Sequence, residues 1–182
     1  MRIISGKYKG RVIKVPTNFR ARPTTDFAKE NLFNILSHSF GLEGISVLDL
    51  FSGTGSIAFE FVSRGAASVT AVEKNFQHSR HLKQTAEKLD IANIQIIKSD
   101  AFLFLAKVKK SYDLIFADPP YNMEHIDSLP SKIFNSNLLA SDGLFILEHS
   151  KDYQFSENPF FNEQRTYGSV NFSFFKAKPS SS

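Results

Sequence analysis

Along most of this chain, short apolar runs alternate with stretches of helical period. Residues 45–51, 68–73, 94–97, 112–117 and 143–148 are rich in Val, Ile, Leu and Phe, with the length and composition of buried strands. Ala28, Leu32, Ile35 and Leu36 recur at helical spacing and predict a helix that ends before Gly41 and Gly44. Residues 22–26, Arg22-Pro23-Thr24-Thr25-Asp26, supply its entry, with a proline and capping hydroxyls. A second helix is predicted from Gly55 through about Arg64, stopped by Gly65, and an amphipathic third over 76–89. Glu60 and Arg64 stand i, i+4 in the favourable order, so a plain surface pair is expected of them. Short helices are predicted after Asp100 and before residue 143. Beyond Phe160 the helical period disappears, and residues 165–167 and 170–175 flank Gly168-Ser169 as a terminal β-hairpin. This alternation predicts an α/β fold, a doubly wound, mostly parallel sheet closed by a C-terminal antiparallel hairpin.

The N-terminal segment follows a different pattern. Ile3, Ile4, Tyr8, Val12, Ile13 and Val15 are interleaved with basic residues, and Gly6 and Gly10 mark turns. A small β-hairpin extension over residues 1–22 is therefore predicted, ahead of one main domain over 23–178. Charge sharpens this division. Seven of the 22 basic residues (Arg2, Lys7, Lys9, Arg11, Lys14, Arg20 and Arg22) precede the first acidic one, Asp26, and the remainder of the chain is net acidic. A localised basic face suits a polyanion and predicts salt-dependent binding. The competing reading is an edge strand guarded by lysines.

Composition excludes several classes. The chain has 182 residues, 42% of them hydrophobic and 22% charged, as expected of an ordinary globular domain. It has no cysteine, which removes disulfide frameworks and thiolate metal or redox sites. His38, His78, His81, His125 and His149 are scattered without metal-ligand spacing, and His78 with His81 reads as a solvated helix face. No signal core opens the chain, and no run approaches the roughly 20 apolar residues that span a bilayer, so a cytoplasmic protein without metal or membrane is expected.

Candidate chemistry gathers at the predicted strand ends. Ser52-Gly53-Thr54-Gly55 follows the first strand, where glycines let the backbone approach a ligand and helix N–H groups face its negative end. Glu73 closes the second strand, placed to accept ribose hydroxyls. Asp100 follows the third and could bind an adenine amino group. Residues 53–58 also satisfy G-x-G-x-x-A, so a nicotinamide cofactor stays open on these residues alone. Asp118-Pro119-Pro120-Tyr121 ends the fourth strand, since two prolines cannot continue a ladder. A carboxylate, rigid carbonyls and an aromatic ring there form a slot for a planar base with an exocyclic amine. A rigid turn with a packed Tyr is the alternative.

Residues 47–55 resemble motif I of the class I S-adenosylmethionine-dependent methyltransferases, and 118–121 resemble the amino-methyltransferase motif IV. Residues 2–11, 22–26 with 31–34, and 63–66 are similar to the bacterial RsmD-type enzymes, which methylate a guanine N2 of 16S ribosomal RNA. The pattern departs at Ser52, Thr54 and Ala58-Phe59, while both glycines remain. The resemblance implies a Rossmann-like methyltransferase sheet with S-adenosylmethionine as cofactor. It places Phe51, Ser52, Gly53 and Gly55 around the methionine moiety, Asp49 near its amino group, Glu73 on the ribose, and Asp100, Ala101 and Phe102 around the adenine. It implies that Asp118, Pro119, Pro120 and Tyr121 hold the target base, and that Arg2, Lys7, Lys9, Arg11 and Arg22 meet RNA phosphates. The implied partner is ribosomal RNA or the small ribosomal subunit, met by a monomer. Two other readings stay open: a DNA adenine-N6 or cytosine-N4 methyltransferase, and a nicotinamide-dependent oxidoreductase or non-catalytic RNA binder.

Overall fold

The computed structural model describes residues 1–16, 19, 25–121 and 123–177. Arg22 and most of the predicted helix-entry sequence lie outside them, although Thr25 does cap the helix, accepting a bond from Ala28 N at 3.2 Å. In chain order the elements are α1 (Asp26–Ser39), β1 (Ser46–Asp49), α2 (Ser56–Ser63), β2 (Ser68–Glu73), α3 (Phe76–Lys88), β3 (Ile94–Lys98) and α4 (Ala101–Leu105). Then come β4 (Tyr112–Ala117), a 3-10 turn (Ile126–Ser128), α5 (Leu129–Phe134), β5 (Leu139–His149), β6 (Phe161–Tyr167) and β7 (Val170–Phe175).

The seven strands form one sheet in the order β3-β2-β1-β4-β5-β7-β6. The first five are parallel, while β7 runs antiparallel to β5 and β6 to β7. The chain order reverses between the paired strands β1 and β4, so the connections leaving their carboxyl ends run to opposite halves of the sheet and open a crevice there, where such sheets bind ligands. The central strands are apolar throughout because both faces are covered. One core packs Leu32, Phe33, Leu36, Phe59 and Phe61 from α1 and α2 against one face, and a second packs Phe104, Leu129, Ile133 and Phe155 against the other.

The strand β5 starts earlier than the predicted 143–148. Its polar start at Ser141 and Asp142 hides a register shift between Tyr112 and Leu114 that lets the strand begin pairing at Leu139. β6 likewise begins at Phe161 rather than 165, because polar Glu163 and Gln164 sit on an edge strand.

The N-terminal segment is a hairpin only in outline. A single antiparallel bridge joins Arg2 and Val12, supported by Ile3 N to Arg11 O and Ile13 N to Met1 O. Its intervening backbone is bonded to α2 instead. Ile4 N and Ser5 N donate to the two carboxylate oxygens of Glu60 at 2.8 and 3.0 Å, and Lys7 N and Tyr8 N donate to Ser63 O and Oγ. The approach is so close that a Cβ on Gly6 would lie 1.8 Å from Ser63 O, and Gly6 has φ +82°. Ile3 and Ile13 enter the same core as α1 and α2.

This corrects the surface pair expected of Glu60 and Arg64. Glu60 is fully buried, with Arg64 Nε at 2.8 Å and the equally buried Lys29 Nζ at 3.8 Å. Lys29 also donates to Arg2 O at 2.8 Å and to Ser56 Oγ at 3.1 Å. A charge buried so deeply is tolerated only when it is paired and hydrogen-bonded, and each partner here is supplied by a distant stretch of chain.

Candidate functional site

A cavity of about 660 Å³ opens at the carboxyl ends of β1, β2, β3 and β4. Of the candidate residues, Asp49, Phe51, Ser52, Gly53, Glu73, Asp100, Ala101, Asp118, Pro119, Pro120 and Tyr121 line it. Gly55 and Phe102 do not. Gly55 stands behind the loop as the cap of α2, with φ +82°, where a Cβ would meet Leu82 Cδ2 at 2.4 Å and Phe59 Cε2 at 2.6 Å. Phe102 turns toward the second core, with Lys132 Nζ 5.8 Å from its ring centre.

The four carboxylates differ in their company. Glu73 Oε2 accepts from Gly53 N at 2.8 Å, and its Oε1 accepts from Asn75 N at 2.7 Å, so it ties the glycine loop to the end of β2. Asp100 caps α4, accepting from Phe102 N at 3.0 Å and Leu103 N at 3.4 Å, and meets Lys74 Nζ at 3.1 Å. Burial opposes its ionisation, but these donors outweigh burial and hold its carboxyl below the ordinary value.

Asp49 lies 1% exposed, and neither of its carboxylate oxygens has a hydrogen-bond partner. The nearby Ser52 hydroxyl donates to the Asp49 backbone carbonyl instead, at 3.1 Å. Burial, with the charge of Glu73 added, pushes the carboxyl up from 3.8 to about 7. Asp118, at the end of β4, is also pushed well above its ordinary value, by burial first and then by the charges of Glu148 and Asp49. Two acids raised in one crevice mark a place where a ligand's positive charge or donors are expected.

The aromatic end of the slot sits outermost: Pro119 is buried, Pro120 is exposed, and Tyr121 is 51% exposed at the rim. Three positions escaped sequence reading. Asn75 lines the cavity and caps α3 through bonds to Gln77 N and His78 N, a role its place two residues past Glu73 could have signalled. His78 is no solvated face, since it lines the cavity 3.9 Å from Glu73 Oε1, and its ring lies 4.1 Å from that of Phe19. Glu148, buried at the end of β5 one strand over in the sheet, adds a second acid, after Asp49, whose charge acts on Asp118.

The basic candidates lie apart from the cavity lining. Arg2, Lys7, Lys9 and Arg11 are exposed on the N-terminal segment, with the Arg2 side chain 3.1 Å from Asp26. Among the described residues, no helix is long and apolar enough to cross a membrane.

A sheet of this order, with a glycine loop after β1, a carboxylate ending β2 and Asp-Pro-Pro-Tyr ending β4, defines a class I S-adenosylmethionine-dependent methyltransferase. The crevice fits that cofactor on its own terms, because an unpartnered buried carboxylate at Asp49 calls for a cationic ligand group such as an ammonium.

Comparison with known proteins narrows the class. The model of the family described as conserved hypothetical protein 95 matches residues 1–176, and the chain belongs to that family, the RsmD-type methyltransferases. Over 148 residues it is 36% identical to the ribosomal RNA small subunit methyltransferase D of Buchnera aphidicola subsp. Baizongia pistaciae, covering 81% of this chain and 75% of that protein. Over 148 residues it is 32% identical to the protein of the same name from Escherichia coli K12, covering 81% and 74%. Among solved structures, a putative methyltransferase, yhhF from Escherichia coli, superposes with a TM-score of 0.84 at 28% identity, covering 98% of this chain and 99% of that one.

Proposed function

We propose that this enzyme transfers a methyl group from S-adenosylmethionine to an exocyclic amine of a nucleobase, guanine N2 of 16S ribosomal RNA. The observation that carries the reading is that one crevice holds both Asp49, a buried carboxylate without a partner, and the rigid Asp118-Pro119-Pro120-Tyr121 strand end. The names of the RsmD-type relatives, which are ribosomal RNA methyltransferases, support RNA over DNA as substrate.

Asp49 holds the cofactor's ammonium, and the backbone of Phe51, Ser52 and Gly53 holds the rest of its methionine moiety. Glu73 takes the ribose hydroxyls by exchanging its present donors, Gly53 N and Asn75 N, for them. Asp100 and Ala101 frame the adenine. When bound, the cofactor supplies a methyl group on a sulfonium, which leaves the sulfur as the amine nitrogen bonds to it.

The target amine is a poor nucleophile because its lone pair is delocalised into the ring. Asp118 and the Pro119 carbonyl accept its two N–H bonds, which draws the nitrogen toward tetrahedral geometry. The two prolines fix these acceptors before the substrate arrives, so orientation lowers the barrier. Tyr121, at the open rim, stacks on the base. The methylated nitrogen must then lose one proton. Asp118 is the acceptor, since burial and the charges of Glu148 and Asp49 raise its affinity for protons.

The basic segment 1–22 contacts RNA phosphates as an extension of the methyltransferase domain 23–178, through Arg2, Lys7, Lys9 and Arg11, with Arg22 beyond the described residues. The enzyme works as a monomer in the cytoplasm, on ribosomal RNA or the small subunit. Asp118→Ala tests the assignment: turnover is expected to vanish while cofactor affinity stays within about tenfold, a division that marks loss of an interaction made in the transition state. Near-normal turnover in that variant would contradict it.

A further inference from the structure

Among the described residues, two of the most exposed large apolar side chains lie on the basic segment and at the start of α1, which Arg2 links. Val12 is 72% exposed and Phe27 is 65% exposed. Val12 pairs with Arg2, Arg2 Nε reaches Asp26 at 3.1 Å, and Phe27 is the next residue. The Phe27 ring meets the ring of Tyr167 edge-on, with centroids 6.2 Å apart and planes at 81°. Tyr167 is itself braced by Phe172, at 6.2 Å. The backbone beneath Phe27 is fixed by the Thr25 cap and by Asn31 Nδ2, which donates to Phe27 O at 2.8 Å. Phe27 is thus an exposed ring held in place by a half-buried one, with the exposed Val12 on the neighbouring segment.

The sheet register places the pair on the working edge. Ala117 of β4 is level with Leu147 of β5, His149 of β5 with Asn171 of β7, and Tyr167 of β6 with Val170 of β7. The β6–β7 turn therefore stands at the same edge of the sheet as Asp118, three strands away, or roughly 14 Å at ~4.8 Å per strand. Lys29 closes the other side, since its ammonium touches both the Arg2 carbonyl and the cavity-lining Ser56 hydroxyl. Val12 belongs to the acid-free segment that also carries Arg2, Arg11 and Lys14, while on α1 the acids nearest Phe27 in sequence are Asp26, already bonded to Arg2, and the exposed Glu30 one turn further on.

We propose that Phe27, braced by Tyr167 and flanked by Val12 and Arg2, is a stacking platform for an unpaired RNA base that flanks the target nucleotide. The inference rests on the RNA reading above and extends it from phosphate contacts to base contacts. A base can enter the Asp118 slot only after leaving its own stack, which also frees its neighbours to splay. An aromatic face beside a cationic segment captures such a neighbour without reading its sequence. Charge complementarity favours RNA over an apolar protein partner, because cations flank the rings on the segment side.

The test uses the full chain, with deproteinised 16S ribosomal RNA and small ribosomal subunits as probes. Phe27→Ala is expected to weaken binding to both by roughly tenfold, as loss of one stacked base does. The dependence on salt should keep its slope, because no phosphate contact is removed. Phe27→Tyr, which keeps the ring, should retain affinity, and S-adenosylmethionine should bind both variants as it binds the parent. Unchanged RNA affinity in Phe27→Ala overturns the platform. So does a loss confined to the subunit, which would make this a protein-docking surface, or a loss accompanied by a flatter salt slope. Failure of the parent protein to bind either probe would instead remove the RNA reading beneath it.

Discussion

Asp49 and Glu60 are both buried acids, one ending β1 and the other within α2, and their surroundings are opposite. Glu60 accepts from Ile4 N, Ser5 N and Arg64 and lies near Lys29, whereas the Asp49 carboxylate has no hydrogen-bond partner. Both pay for burial, but only Glu60 recovers it within the chain. The contrast separates two uses of a buried charge. Glu60 fastens the N-terminal segment to α2, while Asp49 holds its place for a ligand that arrives from outside.

Removing each acid should therefore have opposite consequences. Glu60→Ala leaves Lys29 without its nearest buried counter-charge and strands two backbone donors, which should cost about 3–5 kcal/mol of stability. A thermal or denaturant unfolding curve checks this, and a loss under about 1 kcal/mol would put Glu60 back among surface pairs. Asp49→Asn should leave stability undiminished, yet weaken S-adenosylmethionine binding by roughly ten- to a hundredfold in calorimetry, in line with loss of a charge-assisted bond.

The same comparison carries a pH dependence. Because the Asp49 carboxyl is raised from 3.8 to about 7, the folded chain holds its proton more tightly than the unfolded chain. Ionising it thus costs stability that is present below about pH 4 and lost as pH climbs toward 7. For the cofactor the sign is reversed, since its ammonium needs the ionised acid: affinity should fall about tenfold per pH unit below 7 and level off above it. In Asp49→Asn this slope should be flatter, and an unchanged slope would assign it to another group, with Asp118 the first to examine.

The smallest effect concerns the exposed cations. Reversing charge at Lys7, Lys9 and Arg11 should weaken RNA binding and reduce its salt slope without altering cofactor affinity, because these side chains lie outside the cavity lining. An unchanged slope would remove the segment from the RNA interface.

Much of this was legible in the sequence where the signal is local. Residues 112–117 read as a strand and form β4, because a continuous apolar run is closed by two prolines. Residues 68–73 read as β2 from their short β-branched run after Gly65, and the glycine loop and terminal carboxylates followed from their places after strands. Glu60 was misread because an i, i+4 pair looks the same whether it is solvated or buried, and its other partners, Ile4, Ser5 and Lys29, are distant in sequence. His78 was misread because Phe19 and Glu73, which lie against it, come from outside α3. Glu148 escaped notice because only the order of strands brings β5 beside β4.

The central claim is that the Asp118 strand end presents a base amine to the methyl donor bound beside Asp49. The most direct measurement is mass spectrometry of nucleosides from 16S ribosomal RNA of a deletion strain, before and after incubation with the enzyme and S-adenosylmethionine. The account predicts new N2-methylguanosine. Methylation at a ring carbon or a ribose hydroxyl, or none at all, would contradict it.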